Sequence, residues 1–195
     1  MWWKWGIAVG AYFMAGFGVW RRMRGEYEEE EVLKLTVLLG LAIGVGAGIF
    51  RTLGAVGLGM AGLGWWCRRK DWDFWEWMDA VMPAGLAAGA LVVLNWVWAV
   101  GVVMTWVVGR WYRGWKWYKS GKPGLVGLTA MLFLAAGEIA VANGGSNRLY
   151  WGGLEAAQWM GIWSAVASLV AIYLRAGRKV NEDLKIKWRK EIKKA

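Results

Sequence analysis

The sequence contains no histidine and only one cysteine among its 195 residues. The lack of histidine excludes an imidazole general base and histidine-ligated metal or haem sites. The single thiol, Cys67, stands beside a basic cluster at the end of an apolar run, where packing is a more common role than reactivity. We therefore predict that the protein has no metal site and no cofactor.

Charged residues are also scarce, since Asp, Glu, Lys and Arg together make up 19% of the chain. Six long runs carry no charge at all, at residues 5–20, 35–50, 52–67, 80–109, 123–137 and 156–174. A helix needs about 20 apolar residues to cross the hydrocarbon core of a bilayer. The pattern predicts an all-α, polytopic integral membrane helical bundle with about six spans over residues 1–174. The first span is expected to be retained, because residues 2–20 lack the basic start and cleavage site of a signal peptide.

Positive charge is concentrated behind the last apolar run. The net charge is +10, and residues 175–195 hold nine Lys and Arg against three Asp and Glu. A basic tail after a span predicts a cytoplasmic C-terminus in a cell inner (plasma) membrane, next to anionic headgroups. Nucleic acid is the rival partner for a basic patch. The membrane setting and the lack of a recognition motif favour membrane phospholipid and argue against nucleic acid.

The other basic clusters make the topology ambiguous. Clusters at residues 21–24, 68–70 and 110–122 are all expected on the cytoplasmic side with the tail. We predict that residues 32–67 form two short spans in a hairpin, and that residues 71–79 lie in the membrane interface. Pro83 is expected to precede one long segment over residues 84–108. A single span there would separate the second cluster from the third, so either the segment dips in and returns or the rule is broken once.

Four polar residues stand inside or beside apolar spans and are candidates for function: Arg51, Asn95, Glu138 and Gln158. For Asn95 and Gln158, a hydrogen bond to a neighbouring helix is the favoured interpretation. Glu138 must be protonated, paired or in contact with water, because an isolated carboxylate in hydrocarbon is costly. Arg51 and Arg148, both expected near the outer side, are its possible partners. Such a pair predicts an anionic-lipid pocket in which Arg51 holds the headgroup.

These residues also form part of a wider resemblance. The chain resembles prolipoprotein diacylglyceryl transferase, the bacterial membrane enzyme that moves diacylglycerol from phosphatidylglycerol to a lipoprotein cysteine. The resemblance lies in Trp5-Gly6, Arg21-Arg22, Glu28–Glu31, Gly46-Ala47-Gly48-x-x-Arg51, Gly59–Gly64, Arg68-Arg69-Lys70, Phe74, Asp79, Pro83, Lys122-Pro123-Gly124, Gly127, Glu138 and Gln158. It implies catalytic roles for Arg51 and Glu138, lipid contacts from Arg51, Asn95, Arg148 and Gln158, and a lipoprotein precursor as a possible partner.

The chain departs from the family at three of its functional positions. The family's His-Gly-Gly falls near Gly59-Met60-Ala61, where there is no histidine. Its Gly-Arg-x-Gly-Asn-Phe signature falls between residues 88 and 98, where Asn95 is the polar remnant. Leu134 stands where the family has an arginine four residues before its later glutamate. The scaffold therefore resembles the family, while the family's clamp for phosphatidylglycerol is largely gone.

Two other functions remain open from the sequence. The chain could be a non-enzymatic assembly or lipid-binding subunit whose Trp-rich loops anchor at the membrane interface. It could also be a small transporter with Glu138 as a proton site, although internal repeats, which are typical of transporters, are not evident. Neither alternative requires a conserved catalytic group, and the sequence leaves the oligomeric state open.

Overall fold

A computed structural model describes residues 2–118, 120–142 and 153–178, and within these ranges the regular structure is entirely helical. The helices are α1 (Trp2–Met23), α2 (Glu29–Lys70), α3 (Phe74–Val93), α4 (Trp96–Trp111), α5 (Leu125–Ala142) and α6 (Ala156–Arg175), with a short 3₁₀ helix at Tyr112–Gly114. Three stretches are long and apolar enough to cross a membrane: Glu29–Gly48, Phe74–Val93 and Ala156–Arg175. The all-α class is confirmed, whereas the predicted number of about six spans is not.

Helix α2 doubles back on itself. A straight helix of its 42 residues would be about 63 Å long, roughly twice the thickness of the hydrocarbon core. Instead, Lys70 Nζ lies 2.8 Å from Glu31 Oε2. The backbone at Gly46 also approaches that of Gly54 so closely that a Cβ on Gly46 would lie 2.7 Å from the Ala55 nitrogen. The two arms are therefore antiparallel, which confirms the predicted hairpin with residue 51 near its apex.

The apolar run from residue 80 to 109 is divided between two helices. Helix α3 ends at Leu94, which has a positive φ of 54°, and Asn95 caps the start of α4. A Cβ on Gly89 would lie 3.0 Å from the Trp98 ring, as expected if α4 returns along α3. The run thus dips in and returns, which resolves the topological ambiguity and places residues 68–70 and 110–113 at one end of the bundle. Of the two alternatives for residues 84–108, the structure has the segment that turns back.

Pro83 lies inside α3, whose first residue is Phe74. Residues 74–79 are therefore helical, and Asp79 is buried with 3% of its surface exposed. A proline has no N–H, so the carbonyl four residues earlier loses its helical partner. That carbonyl belongs to Asp79, and Arg22 Nη1 donates to it at 3.0 Å. The end of α1 thereby replaces the hydrogen bond that the proline removes.

Helix α3 is central, because it contacts α1, α2, α4 and α5, while α6 packs on α5. Cys67 is buried in the core between α1, α2 and α3, in agreement with the predicted packing role. We call the basic end the one where α1, α2, α4 and α6 finish and where α3 and α5 begin. The far end holds the turn of α2, the turn at Leu94-Asn95, the finish of α5 and the start of α6. The tail beyond Arg178 lies outside the described residues.

Candidate functional site

Glu138 lies near the C-terminal end of α5, at the far end of the bundle, and is half-buried. Its carboxyl group lies close to the hydroxyl of Thr52 and interacts with it electrostatically. Thr52 immediately follows Arg51 in the turn of α2. The structure therefore brings the turn that carries Arg51 against the helix that carries Glu138, although the two residues are 87 positions apart in the sequence.

Asn95 is buried at the same end and has a structural role. Its Oδ1 accepts from the Val97 N–H at 2.9 Å, which caps α4. Its Nδ2 donates to the Gly137 carbonyl at 3.4 Å, which ties the α3–α4 turn to α5. Trp98 reinforces this contact, because its Nε1 donates to the Leu134 carbonyl at 3.3 Å. Asn95 thus binds a neighbouring helix, as favoured from the sequence. Its partner on that helix, Gly137, immediately precedes Glu138 in the chain.

Gly137 permits this close approach. A Cβ at position 137 would overlap the indole of Trp98 and lie 2.9 Å from Asn95 Nδ2. Side chains cannot occupy that space without displacing the tryptophan, so a glycine is required. The residue immediately before Glu138 is therefore fixed by packing, and this packing sets the position of Glu138 at the far end.

Gln158 is also buried and belongs to a capping box at the start of α6. Its Oε1 accepts from the Glu155 N–H at 2.9 Å, and the Glu155 side chain accepts from the Gln158 N–H in return. This reciprocal arrangement satisfies backbone donors that a helix start leaves without partners. One turn later, Gly161 packs on α5, where a Cβ would lie 3.1 Å from the Ala135 carbonyl oxygen. Arg148, the other predicted lipid contact, lies outside the described residues.

The far end thus collects polar groups from several helices. Thr52 comes from α2, Asn95 from the α3–α4 turn, and Glu138 and Gln158 from α5 and α6. An ionised carboxylate offers about four acceptor positions, more than one neighbouring hydroxyl can fill. Glu138 can therefore accept further hydrogen bonds from a ligand. Within the described ranges, no group of three potential metal ligands occurs.

At the basic end, Asp79 holds a second buried carboxylate that the sequence interpretation missed. Its Oδ2 accepts from the Gly124 N–H and its Oδ1 from the Gly127 N–H, each at 2.7 Å. These are backbone donors at the start of α5, where a negative charge is favourable. A Cβ on Gly127 would lie 2.7 Å from the Met78 carbonyl oxygen, so the approach of α5 to α3 needs a glycine there.

Arg175 completes the arrangement around Asp79. Its Nε donates to the Pro123 carbonyl at 2.8 Å, and its guanidinium carbon lies 4.2 Å from the centroid of the Trp75 ring. Together with Arg22 on the Asp79 carbonyl, these contacts join α1, α3, α5 and α6. The signal available in the sequence was the spacing of Asp79 and Pro83 by four residues, which frees a carbonyl inside a helix.

No family model matches this chain, and no curated protein or solved structure matches it either. The class that the fold defines is a helical protein with apolar helices suited to a membrane. The resemblance to prolipoprotein diacylglyceryl transferase stays a prediction that rests on the sequence motifs.

Proposed function

We propose that this chain is an integral membrane protein that binds an anionic phospholipid of the phosphatidylglycerol type at its far end. The proposed scaffold is a compact, divergent form of the prolipoprotein diacylglyceryl transferase fold. The observation that carries the proposal is the close approach of the Thr52 hydroxyl to the Glu138 carboxyl group. It brings a carboxylate from α5 to the turn that carries Arg51, in a part of the bundle surrounded by apolar helix faces.

The chemistry of the ligand follows from the two charged residues. An arginine donates paired hydrogen bonds to phosphate oxygens, and these charge-assisted bonds are stronger than neutral ones. A carboxylate accepts hydrogen bonds from hydroxyl groups. A phosphatidylglycerol headgroup offers both, since its phosphate carries one negative charge and its terminal glycerol carries hydroxyls. In the proposed site, Arg51 holds the phosphate and Glu138 accepts from the glycerol.

The orientation of the protein is part of the proposal. All the described basic clusters lie at one end of the bundle, and such clusters favour the cytoplasmic side. The basic end and the C-terminus then face the cytoplasm of a prokaryotic cell, and the far end reaches the outer leaflet of the plasma membrane. A cysteine introduced at Lys190 should resist an impermeant thiol reagent added to intact cells. Labelling there would reverse the orientation.

A photoactivatable phosphatidylglycerol, with the reactive group on its glycerol headgroup, tests the site directly. The purified full-length protein is irradiated with this lipid, digested, and its crosslinked peptides are located by mass spectrometry. We expect crosslinks in peptides that contain residues 46–56 or 134–142. Arg51→Gln should reduce them about tenfold or more, because a hydrogen bond to a charged group is lost.

Arg21→Gln is the matched control, because Arg21 is an exposed arginine at the basic end. It should leave the far-end crosslinks unchanged. Crosslinks that are absent from both far-end peptides, or that Arg21→Gln and Arg51→Gln reduce equally, would refute the proposed site. The same experiment with Glu138→Gln asks whether the carboxylate charge matters, since the amide keeps the shape but donates as well as accepts.

A further inference from the structure

The segment that follows α4 alternates cations with aromatic rings. From Arg110 to Lys122 it holds Arg110, Arg113, Lys116, Lys119 and Lys122 together with Trp111, Tyr112, Trp115, Trp117 and Tyr118. We call this segment the aromatic–basic loop; Lys119 lies outside the described residues. The far-end lipid site does not involve it, because the loop lies at the basic end of the bundle.

Two buried tyrosines fix the loop on the protein. Tyr112 and Tyr118 are 5% and 1% exposed, and their ring centroids lie 5.8 Å apart in an edge-to-face arrangement. The Tyr118 hydroxyl donates to the Lys122 carbonyl at 3.0 Å. Burial raises the pKa of Tyr118, so this phenol keeps its proton and remains a donor at neutral pH. The loop is thereby closed on itself.

A further bond attaches the loop to the end of α6. The Ser120 hydroxyl donates to the backbone carbonyl of Arg175. Trp115 and Trp117 stack with ring centroids 5.6 Å apart, which orders the middle of the segment. These contacts order the loop before any ligand binds, so binding loses little conformational entropy in the loop.

Several cationic and indole side chains of the loop and of the end of α4 are exposed on the surface. Arg113 and Lys116 are exposed, as are Trp111 and Trp117, and Arg110 lies within 6.0 Å of the exposed Trp106 ring. Indole rings favour the interface between headgroups and hydrocarbon, where lysine and arginine reach anionic groups. The loop therefore exposes both the indole rings and the cations that favour binding at a membrane interface.

The stretch of sequence around this loop contains no acidic residue. No Asp or Glu occurs in the sequence between Asp79 and Glu138. Asp79 itself is buried and accepts from two backbone N–H groups. By contrast, Lys70 in the neighbouring basic cluster is paired with Glu31, and acids at residues 71, 73 and 76 follow it. The cluster at residues 68–70 therefore has acidic residues beside it in the sequence, whereas the aromatic–basic loop has none.

We propose that the aromatic–basic loop is a preorganised binding surface for anionic phospholipid headgroups of the leaflet at the basic end. It is a second lipid site, separate from the far-end site and independent of it. Each Lys or Arg near an anionic membrane surface raises affinity about fivefold. Loss of three such residues is therefore expected to weaken binding by about tenfold to 100-fold.

The test uses the full-length protein and the same headgroup-reactive phosphatidylglycerol, read out at the peptide that contains residues 110–122. We expect the triple variant R110Q/R113Q/K116Q to lower crosslinking of that peptide by at least about tenfold. The matched control R21Q/R68Q/R69Q removes three exposed cations from the same end and should change it less than about twofold. Equal losses in the two variants would overturn the proposal, since net charge alone would then explain binding.

Wild-type protein supplies a measurement that needs no substitution. Crosslinking of the 110–122 peptide should favour the phosphatidylglycerol probe over a phosphatidylcholine probe, and about 0.5 M salt should reduce the preference through screening. A ratio near one at low salt would overturn the proposal, as would displacement of the lipid probe by an oligonucleotide. Arg51→Gln should leave this peptide's crosslinking unchanged, so the far-end and basic-end sites can fail separately.

Discussion

The two ends of the bundle use buried carboxylates in different ways. At the basic end, the Asp79 carboxylate accepts from two backbone N–H groups, while Arg22 binds the Asp79 carbonyl. At the far end, Glu138 is half-buried and interacts with one hydroxyl, that of Thr52. The more deeply buried acid is therefore the one whose two carboxylate oxygens both accept hydrogen bonds within the protein.

This difference separates a structural acid from a candidate binding residue. A buried charge survives when hydrogen bonds replace its hydration, and Asp79 obtains these from the start of α5. Glu138 keeps acceptor capacity at the end of the bundle where Arg51 also lies. Burial alone does not mark a functional carboxylate; the acceptor positions that remain for a ligand are the better guide.

The largest expected effect concerns catalysis at the far end. The chain should not replace a full-length diacylglyceryl transferase in a cell that depends on one. Removal of one donor that stabilises developing negative charge costs about 10²–10³ in rate, and this chain lacks two expected arginines and the histidine. Losses in residues that act as a unit are smaller than their product, so we expect less than about 10⁻⁴ of transferase activity.

The measurement is complementation of a depletion strain, with expression confirmed by blotting. Leu134 is buried with 8% of its surface exposed, so a leucine fills the position where the family's arginine would stand. Robust growth would show that other residues of the far end carry the reaction. It would also remove the distinction between binding and catalysis on which the proposed function depends.

The next largest effect is expected at Asp79. Asp79→Asn keeps the shape but places an amide N–H₂ against one of the two backbone donors, and it removes the negative charge. We expect a loss of about 3 kcal/mol in the free energy of unfolding. Denaturation of the purified protein by a titrated ionic detergent, followed by circular dichroism, measures this loss. Glu29→Gln, an amide substitution at an exposed position, should cost less than about 0.5 kcal/mol.

Alanine substitutions at glycines of the two ends compare how tightly each end is packed, measured as a change in the free energy of unfolding. Gly127→Ala would press a methyl group against the Met78 backbone, and Gly137→Ala would press one against the Trp98 side chain. Both should destabilise by about 1–3 kcal/mol, with the larger value at Gly127 because a backbone atom yields less readily than a ring. Gly85→Ala meets no atom within 4 Å and should be neutral or slightly stabilising. The same detergent titration measures the stability of all three variants. A larger loss of stability in Gly137→Ala than in Gly127→Ala would show that packing is more rigid at the far end than at the basic end.

Much of the helical organisation could be predicted from the sequence. Long charge-free runs indicated apolar helices, and Arg51 between two such runs indicated the turn of α2. Asn95 bonds to a neighbouring helix as predicted, whereas Gln158 Oε1 accepts from the Glu155 N–H at the start of its own helix. The predictions for the helices, the turn and Asn95 succeeded because they depend on local spacing and on the high cost of unpaired polar groups in an apolar setting.

Other features depend on contacts between distant residues, which local patterns do not determine. The turn at Leu94 interrupts an apolar run without glycine or proline, since Leu94 itself adopts the positive φ. Asp79 resembled an interfacial acid because Trp72, Trp75 and Trp77 precede it, yet its partners lie 45 and 48 positions later. The contact of Thr52 with Glu138 likewise requires α2 and α5 to meet, which their sequences do not specify.

The smallest expected effect is also the one that most directly separates binding from stability at the far end. Thr52→Val keeps the side-chain shape and removes the hydroxyl that interacts with the Glu138 carboxyl group. Thr129→Val is a matched control, because its hydroxyl bonds at 2.8 Å to the Leu125 carbonyl within α5. Each variant should lose about 0.5–1.5 kcal/mol of stability, the net contribution of one hydrogen bond.

Their effects on lipid binding should differ. In Thr52→Val the Glu138 carboxylate is no longer held against the turn of α2, so crosslinking of phosphatidylglycerol to residues 46–56 and 134–142 should fall about two- to fivefold. Thr129→Val should leave these crosslinks within about 1.5-fold of wild type, because its lost bond lies within one helix. If both variants reduce crosslinking equally, the Thr52–Glu138 interaction acts through stability alone. The far end would then resemble the basic end, with a carboxylate that serves the fold and binds no lipid.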